Sequence, residues 1–99
     1  MRDPMFTVHV CKRDSAEEVE VFQLSDSGFD LEFWLGGKHY YVVTEKRIEE
    51  NRWVVYGYRV GYSDRASKLG VVGGPYWPTV PEMFSLVSTY IGFVKEWNI

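Results

Sequence analysis

Ninety-nine residues, 45% of them hydrophobic and 25% charged, with a formal charge of −3, organise one core and exclude a two-domain enzyme. Four Trp, seven Tyr and six Phe supply large buried area to a short chain, so the fold needs no staples. The single cysteine, Cys11, excludes an internal disulfide and points to a reducing compartment, with the cytoplasm as the expected location.

The longest uncharged stretch, Leu69 to Val80, is broken by Gly70, Gly73, Gly74, Pro75 and Pro78, so no membrane span is expected. The opening Met1-Arg2-Asp3-Pro4-Met5 places an acid and a proline where a signal peptide needs apolar residues. Charge is unevenly distributed. Met1 to Gly36 holds eight acids against three bases, and Gly37 to Ile99 holds eight bases against six acids. Such polarity steers a charged partner without dictating a fold.

Phe6 to Cys11 alternates with period two, placing Phe6, Val8 and Val10 on one face and Thr7, His9 and Cys11 on the other, as in a half-buried strand over residues 6–12. Lys12 to Glu18 reads as a polar turn and residues 19–24 as the returning strand. Ser25-Asp26-Ser27-Gly28 is a cluster of turn formers. Gly36-Gly37, between residues 31–35 and 38–48, marks a two-residue hairpin turn. That register sets Phe33 against Tyr40 and Leu31 against Val42, and sends Trp34, His39 and Tyr41 to the opposite face. Residues 52–62 read as a fifth strand with Val54, Tyr56, Tyr58, Val60 and Tyr62 on one side and Gly57, Arg59 and Gly61 on the other. A slip of one residue exchanges these faces, so the pattern leaves open which is exposed.

Ser63 to Lys68 reads as a polar linker and Gly70 to Pro78 as a loop carrying Tyr76 and Trp77. Thr79-Val80-Pro81-Glu82 matches a capping box, starting an amphipathic helix over residues 80–97 whose stripe is Met83, Val87, Tyr90, Val94 and Trp97. Strands without helical crossovers followed by one helix predict a single α+β domain: an antiparallel meander of about five strands with the C-terminal helix on one face.

The chemistry-bearing residues are sparse. His9 and Cys11 share a strand face, but two candidate ligands fall short of the four that structural zinc takes, so no metal or cofactor is expected. Glu17, Glu18, Glu20, Asp26 and Asp30 lie among polar turn residues, where a solvated acidic edge is the ordinary arrangement rather than a catalytic pair. Gly70 to Gly74 lacks the Lys-Ser/Thr of a phosphate loop. Tyr56 and Tyr58 with Arg52 and Arg59 suggest base stacking and phosphate contacts, although alternating strand tyrosines ordinarily belong to a core. Tyr76 and Trp77, between Pro75 and Pro78, suit either an interface anchor or a lid over the core.

These observations lead to the expectation of a non-enzymatic protein-binding inhibitor that occludes a partner's basic surface. Glu17, Glu18, Glu20, Asp26 and Asp30 would steer it, and Tyr76 and Trp77 would anchor it. One form is a virus- or mobile-element-encoded antagonist of a nucleic-acid-processing defence enzyme, such as a CRISPR effector. The alternative is direct nucleic-acid binding through Lys46, Arg47, Arg52, Arg59, Arg65 and Lys68. A homodimer using a spare aromatic face is compatible with the first reading.

Overall fold

In the computed structural model, residues 2–12, 15–24, 29–49, 51–73 and 77–97 are described. Strands β1 (Phe6–Lys12), β2 (Ser15–Gln23), β3 (Leu31–Leu35), β4 (Lys38–Arg47), β5 (Arg52–Arg59) and β6 (Ser67–Val72) precede helix α1 (Val80–Trp97), with a short 3-10 turn at Ser63–Arg65. Every neighbouring pair is antiparallel and the sheet order is the chain order. The domain is thus α+β with a six-stranded meander.

The sixth strand corrects the expectation of about five. Gly70 made residues 67–72 look like loop, yet Gly70, Val71 and Val72 pair with Val55, Val54 and Trp53 of β5, and Leu69 is the extra residue at a register shift opposite Val55 and Tyr56. Two further corrections concern strand ends. β2 starts at Ser15 rather than after a turn reaching Glu18, and β5 stops at Arg59 rather than at Tyr62.

The Gly36-Gly37 turn forms, with φ of 59° and 75°, a conformation that a Cβ makes costly. It sets Phe33 against Tyr40, Leu31 against Val42 and Trp34 against His39. The faces follow from this register. Val8, Val19, Val21, Leu31, Phe33, Tyr40, Val42, Val55 and Val72 point to the helix and are buried with Met83, Val87, Tyr90, Ile91 and Val94. β2 pairs with β1 over Ser15 to Val21 but with β3 only at Phe22 and Gln23. The sheet therefore curls, and α1 touches both edge strands, β1 and β6.

Which side of β5 is buried is decided by glycine. A Cβ on Gly57 would lie 2.6 Å from Tyr90 Cε2, and one on Gly70 would lie 2.9 Å from Leu86 Cδ2. The bare backbone of β5 and β6 is the seat of the helix. Tyr56 and Tyr58 accordingly occupy the face away from α1, which corrects the expectation that the alternating tyrosines form the core. The side of β5 that looked poor in packing material is poor because α1 provides it.

The helix start is a reciprocal cap. Thr79 N–H donates to Glu82 Oε1 at 3.0 Å, Glu82 N–H donates to Thr79 Oγ1 at 3.3 Å, and Gly73 N–H donates to Glu82 Oε2 at 3.1 Å. The Thr79 N–H above all, then the Gly73 N–H and the Thr79 hydroxyl, hold the Glu82 carboxyl below its ordinary value of 4.5. One side chain thus ties the end of β6 to the start of α1. Among the described residues no helix is long and apolar enough to cross a membrane.

Two stability outcomes follow. Gly57→Ala should cost about 1–3 kcal/mol in urea unfolding, as overpacking does, because Phe33 and Tyr40, with ring centroids 6.0 and 6.2 Å from that of Tyr90, hold the opposing ring. Gly70→Ala should cost less, since only a methyl end of Leu86 must turn. Equal costs would mean that Tyr90 does not rest on β5 in solution. At the cap, Thr79→Ala should cost about 1 kcal/mol. Because the folded-state pKa of Glu82 is depressed, its stabilisation is complete above pH 4.5 and is lost as pH falls through the lower folded value. Glu82→Gln should therefore flatten the acid limb of the Tm–pH profile. An unchanged acid limb would place the carboxylate outside the cap.

Candidate functional site

The face of the sheet opposite α1 carries a row of five rings across four strands. Phe22 on β2 meets Trp34 on β3 edge to face with centroids 6.2 Å apart, and Trp34 stacks on His39 of β4 at 4.3 Å and 4°. His39 meets the edge of Tyr41 at 4.9 Å, and Tyr41 meets Tyr58 of β5 at 5.9 Å. Strand alternation produces the row: Trp34 and His39 are cross-strand partners, as are Tyr41 and Tyr58.

Glu32 lies within this row. It is the one buried charged residue among those described, 6% exposed, and a buried carboxylate demands partners. Arg2 Nη1 donates to Glu32 Oε2 at 2.8 Å and His39 Nε2 lies 2.7 Å from Oε1. A carboxylate only accepts, so His39 donates from Nε2. The Arg2 guanidinium also lies 4.4 Å above the Phe22 ring, a cation–π distance. Glu32 thereby fixes the plane of His39 and hence the surface on which Trp34 rests. Trp34 stays 47% exposed.

The residues singled out from sequence are dispersed. Glu18 faces the same side as the ring row, 3.4 Å from His9 Nδ1, and Glu20 is exposed beside it. Glu17 points the other way and pairs with Lys95 of α1 at 3.3 Å. Asp30 accepts from the Thr44 N–H at 3.0 Å and lies 3.4 Å from its hydroxyl, joining the start of β3 to β4. Asp26 and Tyr76 lie outside the described residues. Trp77 is 56% exposed, yet its ring stacks on Trp53 at 4.5 Å and lies 5.4 Å from Phe29. It covers one end of the core while presenting its outer side.

The cations fall into separate groups. Lys46 sits 5.7 Å above Trp53, Arg47 donates to the Tyr56 hydroxyl at 2.9 Å, and Arg52 is the cross-strand partner of Arg47. Arg59, the last residue of β5, and Arg65 lie against Tyr62 at 4.9 and 5.9 Å. Lys68 is opposite Tyr56. Seven residue steps along β5 separate the Arg52 and Arg59 groups, about 23 Å of strand. Among the described residues no group of three or more His, Cys, Asp or Glu is placed to hold a metal ion.

Glu32, His39 and Arg2 were not singled out from sequence. The available signal was Glu32 at an outward position of β3 beside Trp34, since a carboxylate amid rings needs cations close by. No protein-family model, no curated protein and no solved structure matches this chain.

Replacing Glu32 with Gln leaves one of its two donors facing an amide N–H, at an expected cost of about 1–3 kcal/mol. The Trp34 ring, stacked at 4.3 Å, should shift the His39 ring protons upfield in the native protein, and these should move toward random-coil positions in the same variant. Unaltered His39 shifts would show that the stack holds without the carboxylate.

Proposed function

We propose that this chain acts by binding another protein through the open sheet face, with Trp34 as the anchor, and that it works by covering its partner's surface rather than by catalysis. The observation that carries this reading is the Trp34–His39 stack, braced by Glu32 and Arg2. An exposed indole already held in one orientation loses little entropy on docking, and Trp, Tyr and Arg dominate binding energy at protein interfaces. Trp34, Tyr41, Tyr58 and Arg2 supply these types on one surface.

The charges around the row suggest the partner's chemistry. Glu18, Glu20 and Glu45 are exposed beside it, which favours a basic protein surface such as that of a nucleic-acid-processing enzyme and disfavours a phosphate backbone. The same acids weigh against direct nucleic-acid binding, although Arg47 and Lys68 next to Tyr56 keep that reading distinct enough to test. The rings of the row also pack edge against edge, which leaves less flat surface for bases than an open stacking platform offers.

The test uses the intact chain as bait in a nuclease-treated lysate of the cell in which it is made, followed by affinity measurement with the recovered protein. Trp34→Ala should lower affinity by about 2 kcal/mol or more, the scale of an interface hot spot, with little change in Tm. Glu18→Lys with Glu20→Lys should slow association and reverse its dependence on salt. Tight binding of single-stranded nucleic acid at low salt, lost in Trp34→Ala, would instead establish the nucleic-acid reading. Full affinity of Trp34→Ala for its protein partner would remove this face from the interaction.

A further inference from the structure

A concavity lies on the helix side of the sheet, where β6 starts at Ser67 opposite Gly57, so that Tyr58 and Arg59 have β4 on one side and no paired strand on the other among the described residues. It is a cleft of about 340 Å³ whose walls include Tyr40, Arg59, Tyr62, Arg65, Ser67 and Tyr90. Ligand clefts of this size are typically built from aromatic walls with a few placed polar groups. The geometry points to a binding site for a small aromatic anion, with the ring held among the tyrosines and the charged group held by Arg59 and Arg65.

Five observations support this assignment. Neither arginine is within ion-pair distance of a carboxylate among the described residues. Both guanidiniums instead line the cleft and lie against the ring of Tyr62, at 4.9 and 5.9 Å. Two cations lining one cleft favour an anionic ligand, and guanidinium forks match planar oxyanions.

The lining also contains no Asp or Glu, so nothing in the wall repels an anion. The floor is apolar and rigid: Tyr40 and Tyr90 are buried, and their rings meet edge to face with Phe33 completing the cluster. Finally, the Tyr90 hydroxyl has no hydrogen-bond partner among the described residues, although it is not among the solvent-excluded atoms. Burial, with Tyr40 adding to it, pushes the Tyr90 phenol up to about 12, so this hydroxyl remains a donor at any ordinary pH.

The shape of the cleft follows from Gly57. With no side chain on β5 at that position, Tyr90 sits low on the sheet and the wall beyond it stays open up to Arg59. This site goes beyond the open face proposed for protein binding and adjoins it: Tyr58, the last ring of the row, also lines the cleft, whereas Arg59 alternates with Gly57 on the helix side.

The test is an amide NMR titration of the whole chain with three probes: naphthoate, its neutral isostere naphthamide, and inorganic phosphate. Naphthoate should saturate and shift the amides of Tyr62, Arg65, Ser67 and Tyr90 while leaving Trp34 and His39 unmoved. Naphthamide should bind about tenfold more weakly or worse, the scale of losing a hydrogen bond to a charged group. Arg59→Gln and Arg65→Gln should each reproduce that loss with naphthoate, at unchanged Tm. Equal binding of naphthoate and naphthamide would overturn the anion assignment. Phosphate binding as tight as naphthoate would overturn the aromatic one. Failure to saturate at millimolar naphthoate, or shifts confined to the ring row, would remove the cleft as a site.

Discussion

The contact on which this fold depends is the ring of Tyr90 lying on the bare backbone of Gly57. One helix must close a six-stranded sheet, and it can do so only by approaching closer than an ordinary side chain allows. Gly57 and Gly70 open that approach on adjacent strands, and Tyr90 and Leu86 fill it. Close packing of this kind holds the helix at one depth, because interiors are dense and tolerate neither a void nor an added methyl group. The curl of the sheet has the same origin. A single helix covers so wide a meander only if both edge strands bend toward it, as β1 and β6 do. The Glu82 cap and the Glu17–Lys95 pair tie the two ends of the helix to the sheet.

With α1, the one α-helix among the described residues, on one face, no other element of the described residues covers the opposite face. Aromatic residues there have no layer above them and pack sideways instead, ring against ring across β2 to β5. Such a row keeps much of its apolar surface from water without a second layer. Glu32 adds the polar element. Placed under the row, it takes donors from Arg2 at the chain's start and from His39 on the neighbouring strand, so a local ion pair orients rings contributed by three strands. An oriented exposed indole costs little to dock, which is the physical basis of the binding role proposed for this face.

Local signals were legible in the sequence and long-range ones were not. Gly36-Gly37 determines its own backbone conformation, so the register of β3 and β4, and with it the division of Phe33 and Tyr40 from Trp34 and His39, could be read directly. Thr79 and Glu82 likewise carry the helix start within four residues. β6 could not be read this way, because Gly70 signals a break unless one knows that Leu86, sixteen positions later, occupies the space above it. The same ignorance left the faces of β5 undecided. The tyrosine-rich side looked like core and the glycine-bearing side looked empty, whereas the absence of side chains was the requirement for helix contact. Among the acids, Glu17, Glu18 and Glu20 looked like one edge, but strand alternation sends Glu17 to the helix and Glu18 and Glu20 to the open face. That separation became visible only once β2 was known to begin at Ser15.

β5 is the element common to both proposed surfaces, which meet at Tyr58. Tyr58 ends the ring row and also lines the cleft, whereas Arg59, the next residue, turns to the helix side, so the two surfaces adjoin at a single residue. Glycine at 57 makes this arrangement possible, since a side chain there would lift Tyr90 and displace the floor of the cleft along with the helix. The rings at 56 and 58 would keep their outward direction, because the pairing with β4 that directs them does not involve the helix. A packing defect on one side of β5 would thus alter the cleft while leaving the orientation of the row intact. The reverse holds for Glu32, whose partners Arg2 and His39 both lie on the open face. The meander therefore supports two chemically distinct surfaces on a single core, one acidic and aromatic, the other cationic and recessed.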